Sequence, residues 1–185
     1  MRVIETALPG VLVIEPRVFG DERGYFYESY HEARFQELGI HTRFVQTNVS
    51  QSARGVLRGL HYQWPHPQAK LVSVLHGEVY DVAVDIRQGS PTFGQWAGVM
   101  LSGENHRHLW IPEGFAHGFC VVSESATFTY QCSALYDPAG DSAIRWNDTG
   151  IAIDWPVSQP LLSAKDLRAP ALSEVSADRL PAYTP

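Results

Sequence analysis

Short apolar segments separated by glycine and proline dominate the hydrophobic pattern of this chain. Their length and their content of Val, Ile, Leu and aromatic residues are typical of β-strands. The pattern predicts strands at residues 11–14, 24–29, 43–49, 55–60, 70–76, 78–86, 95–101, 107–111, 115–122 and 126–134. Many short strands with few helices indicate an all-β sandwich or barrel, and folds of this kind bind ligands in their mouth or interior.

The connections between these segments carry turn and helix signals. We interpret His76-Gly77-Glu78 as the tight turn of a β-hairpin. The segment Ser29-Tyr30-His31-Glu32 matches a capping box and predicts a short helix that ends at Gly39. A second helical turn is predicted from Ser163. Residues 1–185 are expected to form a single domain, with the proline-containing segment 169–185 as a surface tail.

Composition and charge narrow the class of protein. The chain has 185 residues, of which 44% are hydrophobic and 18% charged, as in ordinary globular domains. A net charge of -6 without a Lys/Arg-rich patch argues against a nucleic-acid partner. Cys120 and Cys132 are too few for a disulfide framework and are expected to be buried thiols in a reducing compartment. With no signal-peptide pattern and no membrane-spanning run, we expect a cytoplasmic protein without a membrane partner.

The first candidate for chemistry is the pair Arg58 and His61, within the segment 55–63. Three residues apart on an ideal strand, the two side chains would face opposite ways. Gly59 lies between them and permits a bulge that turns both toward one cavity. Since a buried Arg beside a buried His is costly without an anion, the segment predicts a site for a charged small molecule with an acid/base residue inside.

A second motif, Pro112-x-Gly114-x-x-His117, resembles the second conserved motif of the cupins, which are small jelly-roll barrels. Metal-binding cupins carry His-x-His and a Glu in a companion motif, whereas His61 is followed here by Tyr62 and Gln63. His117 alone falls short of the three protein ligands usual for a catalytic zinc. We therefore expect a cupin barrel without a metal.

Tyr130 and Asp166 each allow two interpretations. Tyr130 is either a packing residue on a strand or a phenolic acid that donates a proton into the interior. Asp166 is either the acid of a helix cap or the carboxylate that orients a histidine. Their spacing in the sequence does not choose between these alternatives.

Five sequence blocks resemble the dTDP-4-dehydrorhamnose 3,5-epimerase family. They are GDERGYF at 20–26, GVLRGLH at 55–61, DVAVDIR at 81–87, SPTFG at 90–94 and WIPEGFAHGF at 110–119. The resemblance continues in matching order to Asp166 and covers nearly the whole chain. It implies a cupin-type jelly roll, a homodimer that shares a strand across its interface, and a reaction without metal or organic cofactor. The implied reaction is epimerisation of dTDP-4-dehydro-6-deoxy-D-glucose at C3 and C5.

The resemblance also implies roles for individual residues. By this similarity His61 is the catalytic base, Asp166 its partner, and Tyr130 the acid on the opposite side of the sugar, while Lys70 lies near the developing enolate. The implied substrate-binding residues are Arg23, Glu28, Gln46, Thr47, Asn48, Arg58, Lys70, His117, Asp141 and Lys165. Two positions depart from the family pattern: Thr47 replaces the acid of Gln-Asp-Asn, and Asp141 lies near a family Glu.

These residue types suit such a reaction because both reacting protons are α to the C4 ketone. Their removal places charge on the ketone oxygen, where a cation stabilises it, and a second proton donor on the other face completes the inversion. Three alternatives stay open at this point. They are an epimerase acting at only one carbon or on a related deoxysugar, a non-catalytic sugar-nucleotide-binding cupin, and a metal-dependent cupin oxygenase or isomerase.

Overall fold

The computed structural model describes residues 1–184, which contain thirteen strands; Pro185, the end of the expected tail, lies outside the described residues. The strands are β1 (Arg2–Glu5), β2 (Leu12–Glu15), β3 (Val18–Asp21), β4 (Gly24–Tyr27), β5 (Gln46–Ala53), β6 (Leu57–Gln63), β7 (Lys70–His76), β8 (Glu78–Asp85), β9 (Trp96–Ser102), β10 (His108–Ile111), β11 (Phe115–Val121), β12 (Ser125–Cys132) and β13 (Asp141–Ala143). All ten predicted strands are present, β7 with its predicted bounds and the others with shifted ends, while β1, β3 and β13 were not predicted.

Two antiparallel sheets face each other and enclose the main core. One has six strands in the order β1-β2-β10-β7-β12-β5, and the other has five in the order β13-β6-β11-β8-β9. The rings of Phe128 on β12 and Phe119 on β11 stack across the gap, with centroids 4.2 Å apart. The all-β expectation is thus confirmed, and the inner faces of β10, β7 and β12 lie opposite those of β11, β8 and β9.

The predicted hairpin at Gly77 is wrong. β7 pairs with β10 and β12, whereas β8 pairs with β9 and β11, so the chain crosses from one sheet to the other at this glycine. Gly77 has φ +76°, and a Cβ there would lie 2.0 Å from the carbonyl oxygen of Ser125. The tight turn is real, but its strands belong to different layers, which local sequence does not reveal.

Two α-helices occur in the described residues, α1 (Glu32–Glu37) and α2 (Ala164–Leu167). The helix before Gly39 is confirmed, but the capping box is not: His31 is the N-cap and makes no side-chain cap bond. For α2 the predicted cap is confirmed, because the Ser163 hydroxyl accepts a hydrogen bond from the backbone N–H of Asp166. Among residues 1–184 no helix has the length and apolarity needed to cross a bilayer.

Segments outside the sheets pack on the outer face of each, although Thr47 and Val49 of β5 stay exposed. α1 packs Phe35 against the six-stranded sheet, within a cluster that includes Leu71 and Trp110. Residues after β13 cover the five-stranded sheet, and the segment expected as a surface tail runs over it with Leu172 and Leu180 inserted into that cluster. This covering layer carries α2 to the end of β6, which positions the chemistry described next.

Candidate active site

A β-bulge brings Arg58 and His61 to the same face of β6. On the neighbouring strand β11, His117 pairs with His61 and Phe119 pairs with Arg58. The two residues of β6 are three positions apart in sequence while their partners on β11 are two apart, so β6 has one extra residue here. Directly opposed residues in an antiparallel pair share a face, and residues two apart on a strand do as well. The bulge predicted at Gly59 is therefore confirmed, and both side chains face the six-stranded sheet.

Glycine is required where the bulge meets β11. Gly59 has φ +137°, which side chains rarely adopt, and a Cβ on it would lie 2.5 Å from the Cα of Gly118. A Cβ on Gly118 would in turn lie 2.8 Å from the carbonyl oxygen of Arg58. The two strands approach so closely that neither position has room for a side chain.

His61 pairs with Asp166, which α2 delivers from the covering layer. Their Nε2 and Oδ1 atoms are 2.6 Å apart, with 33% of the His61 side chain exposed and 2% of the Asp166 side chain. The other Asp166 oxygen accepts a hydrogen bond from Ser163 Oγ at 2.8 Å. Asp166 thus combines both sequence interpretations, in the cap region of α2 and beside a histidine.

The charge state of this pair follows from its surroundings. Burial alone would raise the pKa of Asp166, but the hydrogen bonds from His61 and Ser163 and the nearby Lys165 cation hold it below its usual value. Asp166 is therefore ionised at neutral pH. Because the carboxylate faces Nε2, that nitrogen carries the proton of the neutral ring, and Nδ1 of His61 keeps a lone pair for a proton from a ligand.

The facing sheet contributes Lys70 and Tyr130. Tyr130 on β12 is paired with Val72 on β7 and with Asn48 on β5, and its ring packs 5.9 Å from Phe128. Burial, with smaller effects of Cys132 and Asp141, raises the pKa of Tyr130, so that it stays a protonated phenol at neutral pH. This side chain is a potential proton donor opposite the sheet that carries His61.

Lys70, at the start of β7, is half-buried among groups of both signs. Burial lowers the pKa of its ammonium, while the Cys132 thiol, Asp81 and Asp141 oppose that effect. Within residues 1–184 the Lys70 nitrogen has no carboxylate oxygen within salt-bridge distance. A partly desolvated cation without a direct partner is suited to stabilise negative charge that appears on a ligand.

Gln46 and Asn48 lie beside Tyr130 and are linked to each other. Gln46 Nε2 donates to Asn48 Oδ1 at 3.0 Å, and Gln46 Oε1 accepts from the backbone N–H of Tyr136 at 2.9 Å. Thr47, between them in sequence, is exposed and lines a hollow of about 120 Å³ on the outer face of the sheet with His108 and Thr129. Because side chains alternate along a strand, the structure does not bring Thr47 to the site.

Asp141 and Lys165 form one contact at the edge of the site. Their Oδ2 and Nζ atoms are 2.6 Å apart, and the Tyr136 hydroxyl donates to the same carboxylate at 3.1 Å. This contact ties β13 to α2. The shorter Asp side chain at position 141 therefore still reaches a cation in this chain.

The sequence analysis did not assign a role to Asp81. Asp81 is fully buried on β8, and both of its carboxylate oxygens lie 3.0 Å from Nε2 of His117. A charged residue in the otherwise apolar strand segment VYDVAV, residues 79–84, was the available signal. His117, a predicted binding residue, is buried beside it, with 8% of its side chain exposed.

Arg23 and Glu28 are not brought to this site within one chain. Strands β3 and β4 pair only with each other among the described strands, and Arg23, 84% exposed, pairs with Asp21. Tyr25 on the same hairpin packs on His106, beside the His76 end of β7. Lys70 occupies the other end of that strand, about 20 Å away at the usual rise. Glu28 binds Arg34 at 2.7 Å instead.

Three further expectations concern the burial of Arg58, the state of the two cysteines and the metal ligands. Arg58 is exposed, not buried, and donates from Nε to Ser52 Oγ at 3.0 Å, so the argument from a buried Arg does not hold. Cys120 and Cys132 are buried free thiols, as predicted. Within residues 1–184 no three His, Cys, Asp or Glu side chains form a group able to hold a metal ion.

Comparison with known proteins identifies the family. Residues 5–174 match the family model for dTDP-4-dehydrorhamnose 3,5-epimerase. The chain belongs to this family. It is 58% identical over 177 residues to the dTDP-4-dehydrorhamnose 3,5-epimerase of Salmonella typhimurium, covering 94% of this chain and 97% of that protein. It is also 44% identical over 186 residues to a dTDP-4-dehydrorhamnose 3-epimerase of Streptomyces niveus, covering 99% of this chain and 90% of that protein.

Structural comparison agrees with the family assignment. A dTDP-6-deoxy-D-glucose-3,5-epimerase from Legionella pneumophila, crystallised with dTDP-4-keto-L-rhamnose, superposes with a TM-score of 0.97. The two are 55% identical, and the match covers 100% of this chain and 99% of that one. The epimerase-family fold of this chain is a cupin-type jelly roll, and the chain is an isomerase by class.

Proposed function

We propose that this chain converts dTDP-4-dehydro-6-deoxy-D-glucose to dTDP-4-dehydro-L-rhamnose by epimerisation at C3 and C5. The observation that carries the proposal is the 2.6 Å contact between His61, on one sheet, and Asp166, on α2, with Lys70 and Tyr130 on the facing sheet. A base and an acid on facing layers suit an inversion, which a binding protein does not require. The family assignment and the ligand of the Legionella structure support the substrate.

In the proposed first step, Nδ1 of His61 takes the proton from the carbon next to the C4 ketone. The C–H electron pair moves into the ring and charge develops on the ketone oxygen, where the Lys70 ammonium stabilises it. Asp166, ionised and hydrogen-bonded to Nε2, stabilises the imidazolium that forms. This arrangement needs no metal or organic cofactor, and we expect dialysis against a chelator to leave the rate unchanged.

In the proposed second step, the Tyr130 hydroxyl gives its proton to the same carbon from the opposite face. The enolate electrons form the new C–H bond and the ketone is restored, with the configuration inverted. The Tyr130 phenolate and the His61 imidazolium then exchange protons with solvent, which returns both groups to their starting state. The same cycle serves the second carbon, because C3 and C5 are both adjacent to C4.

Several of the other predicted binding residues lie near the reacting groups, whereas Arg23, Glu28 and Thr47 of the same chain do not. We propose that the exposed Arg58 binds diphosphate with its forked guanidinium, and that Gln46 and Asn48 contact the nucleotide. Lys165 and His117 supply further polar groups for the substrate, and Asp141 holds Lys165 in place. Binding energy from the nucleotide would hold the sugar between His61 and Tyr130.

The test is solvent exchange measured by NMR in deuterated water with the dTDP keto sugar. Deuterium is expected at C3 and C5, and His61→Ala is expected to abolish its incorporation. Tyr130→Phe is expected to retain exchange while product formation falls, because the base remains. His66→Ala removes an exposed His–Asp pair, with His66 3.0 Å from Asp137, and is the matched control. Normal turnover in His61→Ala would rule out the assigned base.

A second candidate function is epimerisation at one carbon only. The Streptomyces niveus relative, 44% identical and matching almost the whole chain, is named a 3-epimerase, so the family contains enzymes of both kinds. Deuterium at C3 alone, with a product that keeps its C5 configuration, would favour this candidate over the first.

We also propose that the protein acts as a homodimer in which the β3–β4 hairpin of each chain serves its partner. The hairpin exposes the apolar side chains of Val18, Phe19, Tyr25 and Phe26, and it holds Arg23 away from its own site. Analytical ultracentrifugation tests the assembly. For the shared site, Arg23→Ala and His61→Ala chains are refolded together. With random pairing, half of the dimers are mixed, and each mixed dimer has one complete site of its two, formed by the intact His61 of one chain and the intact Arg23 of the other. About a quarter of wild-type activity should then return. No restoration would contradict the exchange.

A cytoplasmic location remains part of the proposal. Its support is the pair of buried, unpaired thiols, Cys120 and Cys132, which suit a reducing compartment. Fractionation of cells that express the chain would test it.

A further inference from the structure

On strand β8 the fully buried carboxylate of Asp81 lies against His117, and its charge also acts on Lys70. Its two oxygens are equally distant from His117 Nε2, at 3.0 Å, and it has no other hydrogen-bond partner within residues 1–184. A buried carboxylate with a single neutral partner is costly unless its charge serves a nearby cation.

The proton position on His117 follows from this geometry. Burial lowers the pKa of His117, and Lys70 and His61 lower it further, against the opposing effect of Asp81. The ring is therefore neutral near pH 7, with its proton on Nε2 facing the carboxylate. Nδ1 makes no hydrogen bond within the described part of the chain and is not sealed from solvent, so it presents a lone pair as an acceptor.

The negative charge of Asp81 is consequently not cancelled by His117. Of the other groups that act on Lys70, Asp141 is neutralised by Lys165 at 2.6 Å, and burial raises the pKa of the Cys132 thiol so that it stays uncharged. Asp81 is therefore the carboxylate near Lys70 whose charge remains available.

We propose that Asp81 is a positioning residue with two effects: it fixes His117 with the proton on Nε2, and its charge keeps the Lys70 ammonium protonated between the sheets. Asp81 contacts His117 and not the sugar. This inference rests on the proposed function, because Lys70 must be protonated in order to stabilise the enolate. Asp81→Asn keeps the shape and an acceptor oxygen but removes the charge.

The first experiment measures the protonation of Lys70 directly. The reactivity of its amine toward acetic anhydride is followed by mass spectrometry as a function of pH, in the wild type, in Asp81→Asn and in Asp85→Asn. Asp85 is a matched control on the same strand, fully buried, but bound to Arg87, Ser90 and Thr92. We expect the curve of Lys70 reactivity against pH to move to lower pH by about one unit or more in Asp81→Asn. The curve for Asp85→Asn should coincide with that of the wild type. In Asp81→Asn the alkaline limb of kcat/KM should move in the same direction.

The second experiment uses the wild type alone and so does not depend on the folding of a variant. Nitrogen-15 NMR of the histidine rings at pH 7 is expected to show His117 protonated at Nε2 and unprotonated at Nδ1. A proton on Nδ1, a charged ring, or an Asp81→Asn labelling curve that superposes on the wild type would each overturn the inference. Neither the acetic anhydride labelling nor the nitrogen-15 NMR uses the substrate, so a lack of epimerase activity would count against the proposed function and leave these two results intact.

Discussion

Replacing Asp166 with Asn tests the His61 pair with the smallest change in shape. The wild-type carboxylate lies 2.6 Å from His61 Nε2 and is held from its other side by Ser163. The amide oxygen of the substituted side chain would still accept a hydrogen bond from Nε2–H, so the ring stays oriented. What is lost is the negative charge beside the imidazolium that forms when His61 takes a proton.

The size of the loss can be worked from the contact. A hydrogen bond to a charged group contributes about 1.5–3 kcal/mol, and the short N–O distance places this one among charge-assisted bonds. The neutral bond that Asn still accepts contributes about 0.5–1.5 kcal/mol, so the net loss is about 1–1.5 kcal/mol. Since about 1.4 kcal/mol corresponds to tenfold in rate, kcat should fall by roughly fivefold to tenfold.

The assay is the initial rate of deuterium incorporation at saturating substrate across pH 5–9 (about the working range of a histidine base). Asp148→Asn is the matched control, because Asp148 is also buried but accepts hydrogen bonds from the backbone N–H groups of Gly150 and Leu172. The control should lose stability without the fall in rate. A folded Asp166→Asn variant with a rate within about twofold of wild type would refute a role for this charge in the reaction.

Three further outcomes follow from the structure. Gly59→Ala should lower the free energy of unfolding, measured in urea, by about 3 kcal/mol or more, because its Cβ would meet Gly118. A loss below about 1 kcal/mol would contradict the close approach of strands β6 and β11 at this point. Burial lowers the pKa of His108 to about 4, so the unfolded chain binds more protons than the folded chain between pH 6.5 and 4. The free energy of unfolding should therefore fall by roughly 3 kcal/mol as the pH is lowered over that range. If its slope against pH is the same in His108→Phe as in the wild type, this explanation is contradicted. Burial raises the pKa of Cys120 to about 11, so neither Cys120 nor Cys132 should react with a disulfide reagent at pH 8 until the protein is denatured.

The sequence predicted those parts of the site that depend on local geometry. Gly59 between Arg58 and His61 indicated a bulge, because only an extra residue brings side chains three apart onto one face. Ser163 and Asp166 indicated a helix cap, since the hydroxyl–backbone contact spans only three residues. In both cases the deciding contact lies within a few residues of the signal.

The sequence predicted less well those features that depend on how the two sheets stack. Gly77 indicated a turn correctly, but the pattern around it is the same whether the next strand pairs beside β7 or crosses to the other sheet. Thr47 was grouped with Gln46 and Asn48 by sequence, although strand alternation already placed it on the other face. Asp81 was passed over because its partner, His117, is 36 residues away and meets it only after the sheet has formed.

The chain contains two His–Asp pairs in the same interior, and exposure separates their chemistry. His61 is 33% exposed beside a carboxylate that is held ionised, so it can release to solvent the proton it takes from a sugar carbon. His117 is 8% exposed, and burial lowers its pKa, so it resists the protonation that a base must undergo. Although the two rings lie opposite each other on neighbouring strands, His117 should therefore not replace His61 as a base in His61→Ala. A residual exchange rate in that variant that vanishes on adding His117→Ala would contradict this division of roles.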